Sequence, residues 1–329
     1  MYAGLTVGVV IPAYNEVAHI GDVIESLPPL VDTVYAVDDC STDGTWDVIQ
    51  SYVAAERPEP VPATPTDGGR SIPAVVAIQH EQNRGAGAAV KTGYEHALRG
   101  GSDVVVTIDA DGQMDTDSMD RLLDPIARGD ADFAKGNRLT DAESYAEMPR
   151  FRAFGNWLLT ALTKWSSGYW SIRDPQNGYT AISAGALQTI DIDAIPDRWG
   201  YLNDLLARLN AADICIADVS MPAQYGQEES TIDLDTYVVQ TSWTLLRAFC
   251  WRLYRRYVCN VDRGTRVASL AGIATLCGGL ALTTAGLLAE TLPPAFVQRG
   301  LLTLVGATVL LGATAVTEWR DAGPRVISE

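Results

Sequence analysis

The chain has 329 residues and carries 24 Lys and Arg against 41 Asp and Glu, a formal charge of −17. A hydrophobic content of 47% excludes a wholly disordered chain. The acidity excludes a general nucleic-acid binder, which needs a basic footprint. Only Lys91, Lys135 and Lys164 are lysines, and Asp outnumbers Glu by more than two to one. Such a bias is expected in a salt-loving archaeon, where a dense carboxylate surface keeps proteins soluble under strong screening. Cys40, Cys215, Cys250, Cys259 and Cys277 are scattered without a CxxC, so neither a disulfide framework nor a zinc site is expected and the main domain reads as cytosolic. Met1 leads straight into a strand-length apolar run, with no basic flank of a signal peptide.

In chain order, strand patterns fall at residues 7–11, 33–37, 74–79 and 103–108. Helical patterns lie between them at 16–27, 45–55 and 86–100. This βαβ rhythm predicts an α/β fold with an open, mostly parallel sheet and helices on both faces. The Pro- and Gly-rich segment 56–74 reads as a surface loop. No internal repeat is visible.

The last fifth differs from the rest. Val267 to Ala289 is a run of 23 residues without a charge, and Leu301 to Thr317 a run of 17. At about 1.5 Å per residue these reach about 34 and 25 Å, against about 30 Å of bilayer hydrocarbon. A two-helix transmembrane hairpin is expected at 265–290 and 296–317. Arg247, Arg252, Arg255, Arg256, Arg263 and Arg266 precede it, opposed only by Asp262. The positive-inside rule then puts both ends, including the tail 318–329, in the cytoplasm. The expected organisation is a cytoplasmic domain over 1–235, an amphipathic juxtamembrane helix over 236–264, and the hairpin. Five of eight tryptophans (Trp157, Trp165, Trp170, Trp243, Trp251) fall in two amphipathic segments, which suits the headgroup region of a bilayer.

Ligands of open α/β sheets bind at the carboxyl ends of strands. Each of the four strand ends carries a polar cluster: Pro12-Ala13-Tyr14-Asn15-Glu16, Asp38-Asp39-Cys40-Ser41-Thr42-Asp43-Gly44-Thr45, Asn83-Arg84-Gly85, and Asp109-Ala110-Asp111-Gly112-Gln113. No GxGxxG follows the first strand, which argues against a dinucleotide oxidoreductase. Two carboxylates at i and i+2 beyond a buried strand can hold one hard divalent cation, which neutralises a diphosphate. For Glu16 and Asp43, helix capping competes with ligand contact.

With Gly136-Asn137-Arg138 and Asp174-Pro175-Gln176-Asn177-Gly178-Tyr179, this ordered set resembles the family-2 glycosyltransferases of GT-A fold, especially the dolichol-phosphate mannose synthase branch, over about residues 5 to 235. The resemblance implies that Pro12, Tyr14, Glu16, Asp38, Asp39, Arg84 and Gly85 surround a UDP- or GDP-sugar. It implies that Asp109 and Asp111 position Mg²⁺ or Mn²⁺. The implied acceptor is a dolichyl or polyprenyl phosphate at the membrane face, its head met by Arg138 and Arg150 or Arg152, since Arg matches phosphate oxygens in a fork. The product, a lipid-linked hexose or N-acetylhexosamine, would feed protein N-glycosylation or surface glycan synthesis. Asp204 lies where many relatives hold a base, and is expected to position the acceptor or, for a hydroxyl acceptor, to act as the base. The branch's basic Arg-x-x-Gly-x-Ser-Lys-like loop is replaced by Tyr225-Gly226-Gln227-Glu228-Glu229-Ser230-Thr231. Two alternatives stay open: extension of a glycan at a sugar hydroxyl, and a non-catalytic nucleotide-sugar-binding subunit.

Overall fold

The structure is a computed structural model that describes residues 1–53, 73–138, 150–198, 200–221, 234–259 and 326–328. The elements run β1 Val7–Ala13, α1 Ile20–Ser26, β2 Thr33–Asp38, α2 Thr45–Ser51, β3 Ala74–Gln79, α3 Ala86–Arg99, β4 Val104–Thr107, α4 Met119–Ala127 and β5 Phe133–Asn137. They continue as α5 Arg150–Ser167, β6 Thr180–Ser183, α6 Ala184–Thr189, α7 Tyr201–Ala211, β7 Ile216–Ser220, α8 Leu234–Tyr254 and β8 Val326–Ser328. A short π-helical stretch, Arg255–Cys259, follows α8.

The eight strands form one sheet in the order β3-β2-β1-β4-β6-β5-β7-β8. Only β6 runs against its neighbours, pairing antiparallel with both β4 and β5. The central strands are buried on both faces, which is why their sequences are continuous apolar runs rather than alternating ones. Successive side chains nevertheless serve different layers. Val9 and Ile11 of β1 join Ile24, Val106 and Leu122 in one core, while Val10 joins Tyr94, Val105 and Leu206 in the other. Gly93 lets α3 settle directly on Val10; a side chain there would collide with its methyl groups.

Contacts divide the chain into two units, Met1–Phe249 with Arg325–Glu329, and Cys250–Pro324. The first is an α/β domain with a mixed, mostly parallel sheet, as the βαβ rhythm predicts. It extends beyond the expected boundary at 235 and takes back the last residues. Val326 and Ile327 of the expected tail pair in parallel with Ile216 and Ala217 and cap the sheet edge at β7. The expected helix from Glu16 starts only at Ile20, because Asn15 takes a positive φ of 58° and the chain turns first. Both charge-free runs, Cys277 and the loop 225–231 lie outside the described residues. Among those described, no helix is long and apolar enough to cross a membrane.

Candidate functional site

Parallel strands β1, β2, β3 and β4 deliver their four polar clusters to one edge of the sheet. Hydrogen bonds then stitch the loops together. The backbone N–H of Asn15 donates to Ser41 Oγ at 2.9 Å, and Thr42 N–H to Asn15 Oδ1 at 2.8 Å. Asn15 and Cys40 both adopt the left-handed backbone region, at φ 58° and 61°. Asp43 accepts from the Val17 and Thr45 backbone N–H groups beside the start of α2, whose N-cap position is Gly44.

The structure places the nucleotide-cluster residues unequally. Pro12 is half-buried, opposite Val37 in the sheet, and Tyr14 is exposed at the rim. Glu16 gives its backbone N–H to Thr45 Oγ1 at 2.8 Å. Asp38 and Asp39 are buried. Asp38 accepts from Gln79 Nε2 at 3.1 Å and from the Ser41 N–H. Asp39 accepts the N–H groups of Arg84 at 2.9 Å and Gly85 at 2.6 Å, and faces His80 Nδ1 at 2.6 Å. Both its oxygens therefore hold the Asn83-Arg84-Gly85 loop against the end of β2. This role was invisible in the sequence because the partners lie some 45 residues on. Gly85, at φ 104°, opens α3, and an added Cβ would stand 2.7 Å from the Asp197 carbonyl.

Asp109 and Asp111 follow β4 and line a cleft with Gln113, Asp115, Arg138 and Asn177. The Asp109 carboxyl is pushed up to about 6 by burial and by the neighbouring Asp111, with Arg138 and Lys135 pulling it back. Gly178 allows the close packing: a Cβ there would lie 2.9 Å from Asp109 Oδ2. Asp174 anchors the Arg138 guanidinium at 2.9 Å, so Arg138 reaches the cleft as a held cation. Arg150 and Arg152 open α5, but their side chains lie outside the described residues.

Three groups near the cleft were not singled out in the sequence. Lys135, wholly buried in β5, donates to the Asn177 carbonyl and is lowered to about 7 by burial, against the pull of Asp174 and Asp218. Its one signal is a lone charge inside the wholly buried strand Phe133–Asn137. Tyr201 at the start of α7 feels the Asp109 charge after burial, which raises its hydroxyl. Gly178 was visible only as one letter of a motif.

Asp204 sits on α7, where its buried carboxylate accepts from Arg208 Nε at 2.5 Å, one helical turn on, with Arg247 at 3.8 Å. The i,i+4 spacing on α7 makes this pairing local and close.

Mg²⁺ commonly takes one or two carboxylates and completes its shell with substrate phosphates and water. Among the described residues no three His, Cys, Asp or Glu side chains gather as a metal cage. Asp109 and Asp111 fit the sparser arrangement, since their mutual repulsion is what a cation would relieve. A test follows from the sign. A carboxyl raised from its ordinary value to about 6 leaves the metal-free fold most stable in acid, and that stability is lost as pH rises through 6. Metal-free Asp109→Asn is expected to melt about a few degrees above the wild type near pH 8 and level with it near pH 4, read by thermal denaturation in chelator.

The model of glycosyl transferase family 2 matches residues 8–191, more than half of the chain. The chain belongs to that family. The transferase is similar to the UDP-N-acetylglucosamine–dolichyl-phosphate N-acetylglucosaminyltransferase of Methanococcus voltae, 29% identical over 217 residues, covering 66% of this chain and 84% of the relative. It is similar to the undecaprenyl-phosphate mannosyltransferase of Micrococcus luteus, 26% identical over 255 residues, covering 73% and 96%. Among solved structures, the glucosyl-3-phosphoglycerate synthase of Mycobacterium tuberculosis in complex with Mn²⁺ and UDP-glucose superposes at a TM-score of 0.53 and 23% identity, over 75% of this chain and 80% of that one. That likeness establishes the shared fold. The transferase is thus related to polyprenyl-phosphate glycosyltransferases, as the motif set implies.

Proposed function

We propose that this transferase moves a hexose or N-acetylhexosamine from a UDP- or GDP-sugar to dolichyl or polyprenyl phosphate at the cytoplasmic face of a membrane. The observation that carries the reading is the carboxylate pair Asp109–Asp111, set after β4 on the sheet edge to which β1, β2 and β3 also bring their loops, and flanked by the anchored Arg138. The donor lies over the ends of β1 to β4, where Asp39 fixes the Arg84–Gly85 loop and Tyr14 stands at the rim. Asp109 and Asp111 would hold Mg²⁺ or Mn²⁺, which would supply positive charge to the leaving diphosphate. Arg138 adds a guanidinium beside the same cleft.

An oxygen of the acceptor phosphate attacks the anomeric carbon in line, the bond to the diphosphate breaks, and the electron pair leaves with the nucleoside diphosphate. A phosphate is already ionised at neutral pH and requires no protein base. The engagement of Asp204 by Arg208 supports this reading over a hydroxyl acceptor, which needs a free base. Asp204→Asn is therefore expected to leave turnover of the folded enzyme within about threefold. Weakening a buried ion pair, it should cost up to about 3–5 kcal/mol of stability, read by thermal denaturation beside the kinetics. A loss of turnover of a hundredfold or more, with folding intact, would establish the hydroxyl acceptor instead.

The membrane assignment rests on the charge-free runs and the six arginines before them. Trp165 of α5 and Trp243 of α8 are exposed at 52% and 66%, which suits amphipathic helices at the headgroups. Trp170 stacks edge-on against Trp165, with centroids 5.5 Å apart. Membranes holding the enzyme should transfer label from a nucleotide-sugar panel into organic-extractable lipid. Label appearing only in water-soluble glycan would overturn the acceptor class.

A further inference from the structure

The segment 174–179, just before β6, touches three of the residues that line the Asp109–Asp111 cleft, and its own Asn177 and Tyr179 line it too. Gly178 lies against the Asp109 carboxylate. Asp174 takes the Arg138 guanidinium at 2.9 Å and the Arg138 backbone N–H at 3.3 Å. The Tyr179 hydroxyl donates to the Asp115 carbonyl at 3.1 Å. Within the segment, Asn177 Oδ1 accepts the Tyr179 N–H at 3.1 Å. A displacement of this turn would therefore move a carboxylate and a cation of the cleft together.

Strand β5 fastens the turn from behind. Asn177 Nδ2 donates to the Gly136 carbonyl at 2.9 Å, and the Gly136 N–H to the Tyr179 carbonyl at 2.9 Å. Lys135 adds a bond of another kind, from its ammonium to the Asn177 carbonyl. A charged donor makes the stronger bond. Both residues are buried, so no water takes the place of the ammonium. The composition sharpens the point: Lys135 is one of three lysines in a chain that otherwise uses Arg for its cations. A compact ammonium can serve one carbonyl in a closed core, where a planar guanidinium would bring five donors to satisfy.

We propose that Lys135 is a positioning residue for sugar transfer: through the Asn177 carbonyl its ammonium holds segment 174–179 so that Gly178 seats the Asp109 carboxylate and Asp174 aims Arg138. The inference rests on the metal-assisted transfer proposed above and extends it to a residue that acts only through others. Asp218 stands opposite Lys135 in the β5–β7 pair and is buried as well, so the charge of Lys135 also has a structural neighbour. The test must separate that role from positioning.

The experiment uses the full chain in detergent and the variant Lys135→Met, which keeps the length of the side chain and removes the donor. Mn²⁺ binding in the presence of UDP or GDP is read from the electron paramagnetic resonance signal of the free ion. The Mn²⁺ dissociation constant should rise at least about tenfold, and kcat should fall at least about tenfold with the donor KM within about threefold. If Lys135→Met does not fold, Lys135→Met with Asp218→Asn restores the charge balance and should show the same two losses. A double-mutant cycle then asks whether Lys135 acts through the turn. Lys135→Met and Gly178→Ala disturb the same carboxylate, so the double variant should lie within about threefold of the poorer single one. Losses that multiply, or a Mn²⁺ affinity within twofold of wild type, would overturn the proposal and leave Lys135 a purely structural cation. If Mn²⁺ affinity is unmoved while chelator abolishes transfer, this inference falls and the metal mechanism stands. If all losses occur as described while label reaches only water-soluble glycan, Lys135 keeps its role and the proposed acceptor fails.

Discussion

Replacing Asp111 with alanine is expected to reduce sugar transfer at least about a hundredfold, with the fold intact. Asp111 raises the Asp109 carboxyl by repulsion, so the two share one electrostatic problem that a divalent ion solves. With Asp111 gone, a single carboxylate is left to hold that ion against the donor diphosphate, and the leaving group loses its neutralising charge. Such contacts carry about 3–4 kcal/mol, which sets the hundredfold scale. Stability should not suffer, because the variant removes a repulsion. Chelation of the unmutated enzyme should give the same loss and be reversed by Mg²⁺ or Mn²⁺. Near-normal transfer in excess chelator would remove the metal from the mechanism.

The second large effect is expected at a residue without a side chain. In Gly178→Ala the new methyl carbon would stand 2.9 and 3.1 Å from the two oxygens of Asp109, nearer than real Cβ atoms come to their neighbours. Gly178 has no positive φ, so the backbone tolerates alanine and the collision falls on the carboxylate alone. The Lys135 and Asn177 contacts hold the strand and loop behind it, so Asp109 is the group that yields. A shift of about 1 Å in a group that positions the donor can cost about a hundredfold in rate. The expected result is that loss in kcat, a raised metal requirement, and a melting temperature close to wild type. A fully active Gly178→Ala enzyme would show that Asp109 does not need its present position.

Much of this was legible beforehand because buried parallel strands write themselves as unbroken apolar runs, and polar clusters at their ends stand out against them. β1 to β4 and the Asp109–Asp111 pair were read in that way. The far half of the sheet was not. β6 is only four residues, Thr180–Ser183, half of them hydroxylic, and it runs antiparallel between β4 and β5. Lys135 puts a charge inside the wholly buried β5 for the sake of contacts with residues some 40 positions later. Asp39 and Asp204 carry the same lesson. Each looked like a carboxylate awaiting a ligand, and each is engaged by groups of the fold: Asp39 by a distant loop, Asp204 by the next turn of its own helix. Residue type and local spacing reveal which groups can do chemistry, while the partners that occupy them are set by tertiary contact.

The return of the chain at β8 constrains the topology of everything between. Val326 and Ile327 are zipped beside Ile216 and Ala217 in the same sheet that holds the amino-terminal strand. A polypeptide that departs from that domain after α8 and rejoins it at β8 traces a closed excursion. Any bilayer it pierces must be pierced an even number of times, and a single crossing is geometrically forbidden. A crossing by the 23-residue charge-free run would therefore require a second crossing before β8, for which the 17-residue run is the expected segment. A reporter fused after Glu329 should be found on the same side as one fused before Met1.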